Sequence, residues 1–248
     1  MKIAERTARS VLSKSGIPGA RRALNPYVGC AHACRYCYAE FMKKYTGHTE
    51  PWGTFVDAKV NAPEALEREL RRAARGVVML SSVTDCYQPL EGRCGLTRRC
   101  LERLLAHRFP VRILTKSPLV LRDLDLLRRF PEIEVGLTVT TDDERMRLLF
   151  EPAAPPIAAR IDALHRLREA GVRTYVFIGP MLPMNPARLA AVLRGIVDEA
   201  LVDPMNYPGK TRTLFRKLGE ERWLDPAFTA AVADELHALL GGPGRAGD

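Results

Sequence analysis

Five short, nearly continuous apolar runs dominate the chain: VVMLSS (77–82), VRILTK (111–116), EVGLTVT (134–140), VRTYVFIG (172–179) and EALVDP (199–204). Runs of this length without polar alternation predict parallel strands covered on both faces. Helical patterns lie between them, and a first strand near LNPYVG (24–29) brings the count to about six strand-then-helix units. Right-handed crossovers then demand a parallel sheet, either open or curled into a partial barrel. The expected class is therefore α/β, a partial (β/α)6 barrel followed by a short C-terminal helical extension. In such folds reactive groups gather at the C-terminal ends of the strands.

The helices carry their own boundary signals. Ser117-Pro118 and Asn185-Pro186 read as an N-cap followed by Pro at the first helical position. Gly76 and Gly171 stand where a left-handed C-terminal cap is expected. In PEALERELRRAARG the acids Glu64, Glu67 and Glu69 come early and the arginines late, which complements the helix dipole without any ligand. From Tyr207 the pattern changes to a basic turn, PGKTR. A last helix follows, opened by Asp225-Pro226, with Phe228, Val232, Leu236 and Leu239 on one face and GGPGRAGD as a frayed tail. The organisation expected is a basic N-terminal arm (1–21), a barrel (22–205) and a C-terminal helical extension (206–248).

With 248 residues, 46% of them hydrophobic, the chain can bury a large core without staples. No apolar run is long enough for a signal peptide or a membrane span, so a cytoplasmic protein with no membrane partner is expected. The formal charge is +9, and the arm carries Lys2, Arg6, Arg9, Lys14 and Arg21 against Glu5. That balance suits a nucleic acid or another polyanion, and equally an arginine-rich solvated surface.

Three of the six cysteines fall in CAHACRYCY (30–38), as Cys30, Cys34 and Cys37. Three soft thiolates suit an iron–sulfur cluster, because a cubane has four irons and three cysteines leave one free. A structural zinc site in a nucleic-acid-binding protein is the competing reading, and it needs a fourth ligand such as His32, Cys86 or Cys94. Leu96, Cys100 and Leu104 share one helix face, so Cys100 reads as a small buried hydrophobe. His48, His107, His165 and His237 show no ligand spacing.

CxxxCxxC with an aromatic before the last cysteine resembles the signature of the radical S-adenosylmethionine superfamily. NPYVGCAHACRYCYA, SSVTDCYQPLE, LTRRCLE, ILTKSPLVLRDLDLL, TVTTDDE, FEPAAPP and GPMLP are similar to its spore photoproduct lyase-like branch. The resemblance implies a barrel of the radical SAM type, a [4Fe-4S] cluster on the three cysteines, and S-adenosylmethionine chelated by the free iron. Reductive cleavage would then give a 5′-deoxyadenosyl radical that abstracts hydrogen from the substrate. It also implies a one-electron donor such as flavodoxin or ferredoxin. Lys116 would contact the cofactor's carboxylate, and Tyr36, Tyr38, Ser82, Thr84, Thr138 and Thr140 would complete the cofactor site. Tyr38 would take part in the radical relay.

The resemblance breaks at Ser82. The lyase has a hydrogen-donating cysteine there, and a serine O–H bond is much stronger than a thiol S–H, so thymine-dimer splitting is not expected. Cys86, four positions on, is the remaining candidate donor. The substrate is left between a nucleic acid and a protein or peptide side chain.

Overall fold

The predicted apolar runs become the parallel strands of one sheet. In chain order the strands are β1 (Lys2–Arg6), β2 (Leu12–Lys14), β3 (Arg22–Leu24), β4 (Tyr27–Val28) and β5 (Phe55–Lys59), then β6 (Val78–Leu80), β7 (Val111–Thr115), β8 (Ile133–Thr138), β9 (Arg173–Ile178) and β10 (Glu199–Val202). They are seen in a computed structural model that describes residues 1–241. The main sheet has the order β10-β9-β8-β7-β6-β3-β2, with every neighbour parallel except β2, which runs antiparallel along β3. Six parallel strands in sequence order, with β10 and β2 at opposite edges, make the open sheet of a partial barrel.

The first strand differs from expectation. Leu24 ends β3, and Tyr27–Val28 instead pairs with β5 in a second sheet of order β1-β5-β4. Pro26 has no N–H to give the ladder, so the chain leaves the main sheet there and its carbonyl accepts from Lys59 N at 3.0 Å. The basic first segment is also part of the fold: Lys2–Arg6 runs parallel to β5, and Leu12–Lys14 lies along β3.

Most boundary signals operate as read. Ser117 Oγ accepts from Leu119 N, Asn185 Oδ1 from Arg188 N and Asp225 Oδ1 from Ala227 N. Gly171 has φ +77° behind helix Ile157–Glu169. Gly76 is a correction, because helix Ala62–Leu70 ends well before it. It is small for a different reason: a Cβ there would lie 2.6 Å from Arg21 Cδ.

Helix Leu96–Ala106 buries Leu96, Cys100 and Leu104 as its spacing predicts. The last helix, Pro226–Leu240, packs on helix Pro186–Leu193 and on β10, burying Val232 and Leu236. Gly241 caps it at φ +70°, and the rest of GGPGRAGD lies outside the described residues. No helix among those residues is long and apolar enough to cross a membrane.

Candidate active site

The cysteine loop leaves the sheet beyond β3 and is seated by two glycines. Gly29 has φ +81°, and a Cβ on it would lie 2.4 Å from the carbonyl oxygen of Phe55. Gly53 has φ +92°, and its Cβ would lie 2.4 Å from that of Ala33, itself at φ +55°. A side chain at either position would force the loop off the segment beneath it. The loop is tied down by Ala31 N donating to Gln88 Oε1 at 2.9 Å, Arg35 N to Phe150 O at 2.9 Å and Thr84 Oγ1 to Gly29 O at 2.5 Å.

Cys30 and Cys34 are buried and Cys37 is half-buried. Burial pushes all three thiols up, Cys34 to about 12 even though the Lys116 ammonium opposes the shift. Three desolvated thiols become thiolates when a cation replaces their protons. The indole N–H of Trp52 is buried without any hydrogen-bond partner, and its effect is to lower the pKa of the Cys37 thiol against the rise caused by burial, as a donor to a thiolate would. This donor set fits an iron–sulfur cluster with one ligand position left to another molecule. A closed zinc site fits poorly, since its ligands must converge within about 2.3 Å of one ion. Among the described residues no three His, Cys, Asp or Glu side chains do so. His32 Nε2 instead faces Asp85 Oδ2 at 3.1 Å, Cys86 lies in the main core and Cys94 borders a separate apolar cluster.

Two buried carboxylates organise the strand ends. Asp85 Oδ1 accepts from Thr115 Oγ1 (2.6 Å) and Tyr87 N (2.9 Å), and Oδ2 accepts from Lys116 N (2.8 Å) beside His32. Burial alone would raise its pKa, but the His32 imidazole and these donors hold it down at about 2. Glu151, fully buried, accepts at Oε1 from Tyr36 Oη and from Thr140 Oγ1 (3.1 Å). Lys116 Nζ lies 3.8 Å from the same oxygen, and Arg160 Nη2 lies 2.5 Å from Oε2. Against the opposing effect of burial, the two cations and the phenol hold Glu151 at about 2. Burial would likewise strip the proton from Lys116, but Glu151 keeps its pKa up, so a desolvated ammonium stands beside Cys34. With three donors and one shared carboxylate, that ammonium can take a second, incoming carboxylate.

Other sequence-predicted residues are distributed around this centre. Thr84 spends its hydroxyl on the cluster loop and accepts from Gln88 Nε2 at 3.1 Å. Thr138 is buried, and its carbonyl accepts from Arg160 Nη1 at 3.0 Å. Ser82 Oγ accepts from Asn25 Nδ2 at 2.8 Å, while Ser82 O accepts from the Tyr38 hydroxyl. Tyr36 is buried and Tyr38 exposed.

Cys86 is fully buried, its thiol pushed well up by burial and its carbonyl held by Thr97 Oγ1. As the remaining candidate donor it lies in the main core, with Ser81 (φ +74°) taking the Cys86 N–H on its Oγ. Lys210, in the basic turn, spends its charge on Glu40 and on Cys37 O at 2.7 Å. His32, Asp85, Gln88, Glu151 and Arg160 were assigned no role in the cofactor site from sequence. The available signal was an acid inside each of two motifs, SSVTDC just after a strand and FEPAAPP between two helices.

Residues 24–195 match the family profile of the Radical SAM superfamily. An uncharacterized protein of Methanocaldococcus jannaschii is 41% identical over 176 residues, which is 71% of this chain and 66% of that protein. The radical SAM Nα-GlyT isomerase of Pseudomonas phage M6 is 26% identical over 161 residues, 64% of this chain and 32% of that one. Among solved structures, a spore photoproduct lyase variant with bound AdoMet and dinucleoside spore photoproduct superposes with a TM-score of 0.66. Its identity is 16%, over 88% of this chain and 66% of the lyase. The chain belongs to the radical SAM superfamily. Its fold is the one shared with spore photoproduct lyase, and its cofactors are a [4Fe-4S] cluster and S-adenosylmethionine.

Proposed function

We propose that this protein is a radical SAM enzyme that abstracts hydrogen from a nucleic acid substrate. The observation that carries the cofactor half of this reading is the Glu151-supported Lys116 ammonium acting on Cys34 and Cys37 in a loop of three largely buried cysteines. When bound, the cluster and S-adenosylmethionine supply a 5′-deoxyadenosyl radical. Cys30, Cys34 and Cys37 would hold the cluster, leaving a ligand position for the amino and carboxylate groups of S-adenosylmethionine. Lys116 pairs with that carboxylate, fixed from behind by Glu151 and through its own N–H by Asp85. Tyr36 and Thr140 hold the other donors on Glu151, and Thr138 braces Arg160 through its carbonyl. Tyr38 and Ser82 border the open side, where the substrate hydrogen would be presented.

The nucleic acid half is supported by the net charge of +9 and by the dinucleoside spore photoproduct bound in the lyase whose fold this chain shares. Ser82 supplies no thiol hydrogen and Cys86 is buried, so the reaction proposed is not spore photoproduct repair. A flavodoxin- or ferredoxin-like protein would deliver the electron.

Anaerobic reconstitution is expected to give about four irons per chain and dithionite-dependent 5′-deoxyadenosine. Cys34→Ala should lose both, and retention of both would sink the cofactor assignment. Incubation with perdeuterated oligonucleotides should move deuterium into 5′-deoxyadenosine; transfer only from a deuterated peptide would give the substrate to the protein class.

A further inference from the structure

Every exposed tyrosine or phenylalanine among the described residues belongs to one strip: Tyr38 (44% exposed), Phe41 (41%), Tyr45 (77%) and Tyr207 (56%). Tyr38 stacks between its neighbours, 6.2 Å from Phe41 at 20° and 6.0 Å from Tyr207 at 22°, and Tyr45 meets Phe41 edge-on at 6.2 Å. Surface aromatics scattered singly mean little, but four in mutual contact, three of them stacked, mark a binding surface. The strip starts at the cluster: Tyr38 follows Cys37, and Lys210 holds the Tyr207 segment to the Cys37 carbonyl at 2.7 Å. Lys44, adjacent to Tyr45 in the chain, and Arg212, which opens the helix after the Tyr207 turn, are exposed and form no ion pair among the described residues.

We infer that this strip is a stacking platform for a single strand of nucleic acid, leading one unpaired base toward the radical site. The inference rests on the nucleic acid reading above. The chemistry selects the partner. Near-parallel exposed rings offer π-faces to bases of any sequence, while exposed cations on the same two chain segments can take the phosphates. A duplex hides its base faces within the stack, so only an unpaired segment can use the rings.

The test is fluorescence anisotropy of labelled oligo(dT) on the anaerobically reconstituted chain at fixed, low salt. The double variant Tyr45→Ala/Tyr207→Ala is expected to bind roughly 5- to 100-fold more weakly, the loss of one or two base stacks. Tyr45→Phe/Tyr207→Phe keeps the rings and should bind like the parent. Both residues are exposed, so the substitutions leave the core intact. Unchanged binding by the alanine pair overturns the platform, even if the enzyme still modifies oligonucleotides and the reading of its function stands. An equal loss of heparin binding also overturns it, since charge alone would then explain the effect. A parent dimer that the alanine pair converts to monomer makes the strip a self-association face and ends the proposal. No oligo(dT) binding by the parent overturns both the platform and the nucleic acid reading.

Discussion

Glu151 shows how one side chain can set the state of a site. Its carboxylate is shared by Lys116, Arg160, Tyr36 and Thr140 in a fully buried position. Removing one partner of such a network leaves cations uncompensated, so Glu151→Ala should destabilise the cofactor-free chain by about 3–5 kcal/mol in urea unfolding. The same change frees Lys116 to lose its proton and should raise the concentration of S-adenosylmethionine needed for half-maximal 5′-deoxyadenosine formation. Trp52 acts on the other side of the cluster. Its buried, unpartnered indole N–H would stabilise negative charge on the Cys37 sulfur, more so once a bound cluster gained an electron. Trp52→Phe should therefore shift the midpoint in an EPR-monitored redox titration to a more negative potential, with iron content unchanged. A midpoint equal to the parent's would remove Trp52 from the account.

At the scale of elements, the cluster loop depends on what lies beneath it. Gly53→Val has no allowed conformation at φ +92° and collides with Ala33, so the loop must move. Iron retained after reconstitution and desalting should fall well below the parent's. Gly171→Ala is the control, as nothing lies within 4 Å of its Cβ direction, and it should cost only about 1–2 kcal/mol for the left-handed cap while keeping its iron. The strands and caps of this scaffold were legible in the chain because apolar runs and capping residues act locally. Ser117, Asn185 and Asp225 each accept from a backbone N–H two or three residues on. The end of β3 was half legible: Pro26 marks where the ladder stops, but the sheet that Tyr27–Val28 then joins is set by pairing with distant Ala58 and Asp57. Gly76 misled for a similar reason, since it is required by the side chain of Arg21 and not by its own helix.

For the whole molecule, the two buried carboxyls couple the site to acid stability. Asp85 is lowered from 3.8 and Glu151 from 4.5, each to about 2, so the unfolded chain binds these protons more tightly than the folded one. Their contribution is complete above about pH 4.5 and is lost as pH falls toward 2. In urea unfolding of the cofactor-free chain, the parent should lose stability steeply across that window, and Asp85→Asn/Glu151→Gln should show a shallower slope. Parallel slopes would mean that neither carboxyl is held down by the fold. The open edge of the sheet has a second consequence, because the segment after β10 returns to the cluster through Lys210 and Tyr207. Chain near the start of the family match and chain beyond its end thus border one site.

By itself the sequence determined the parallel α/β scaffold, the three thiols and the superfamily, since periodicity, spacing and residue chemistry are local properties. It also marked Lys116 and the replacement of a cysteine by Ser82. Only the tertiary structure decided which charges meet. Tyr36 and Glu151 are 115 positions apart, and Lys210 and Cys37 are 173 apart. The burial of Cys86, the donor at Trp52 and the run of exposed rings likewise arise from contacts between segments. No spacing rule encodes such contacts, because a folded core brings side chains together according to packing and solvent exclusion and not according to their order in the chain.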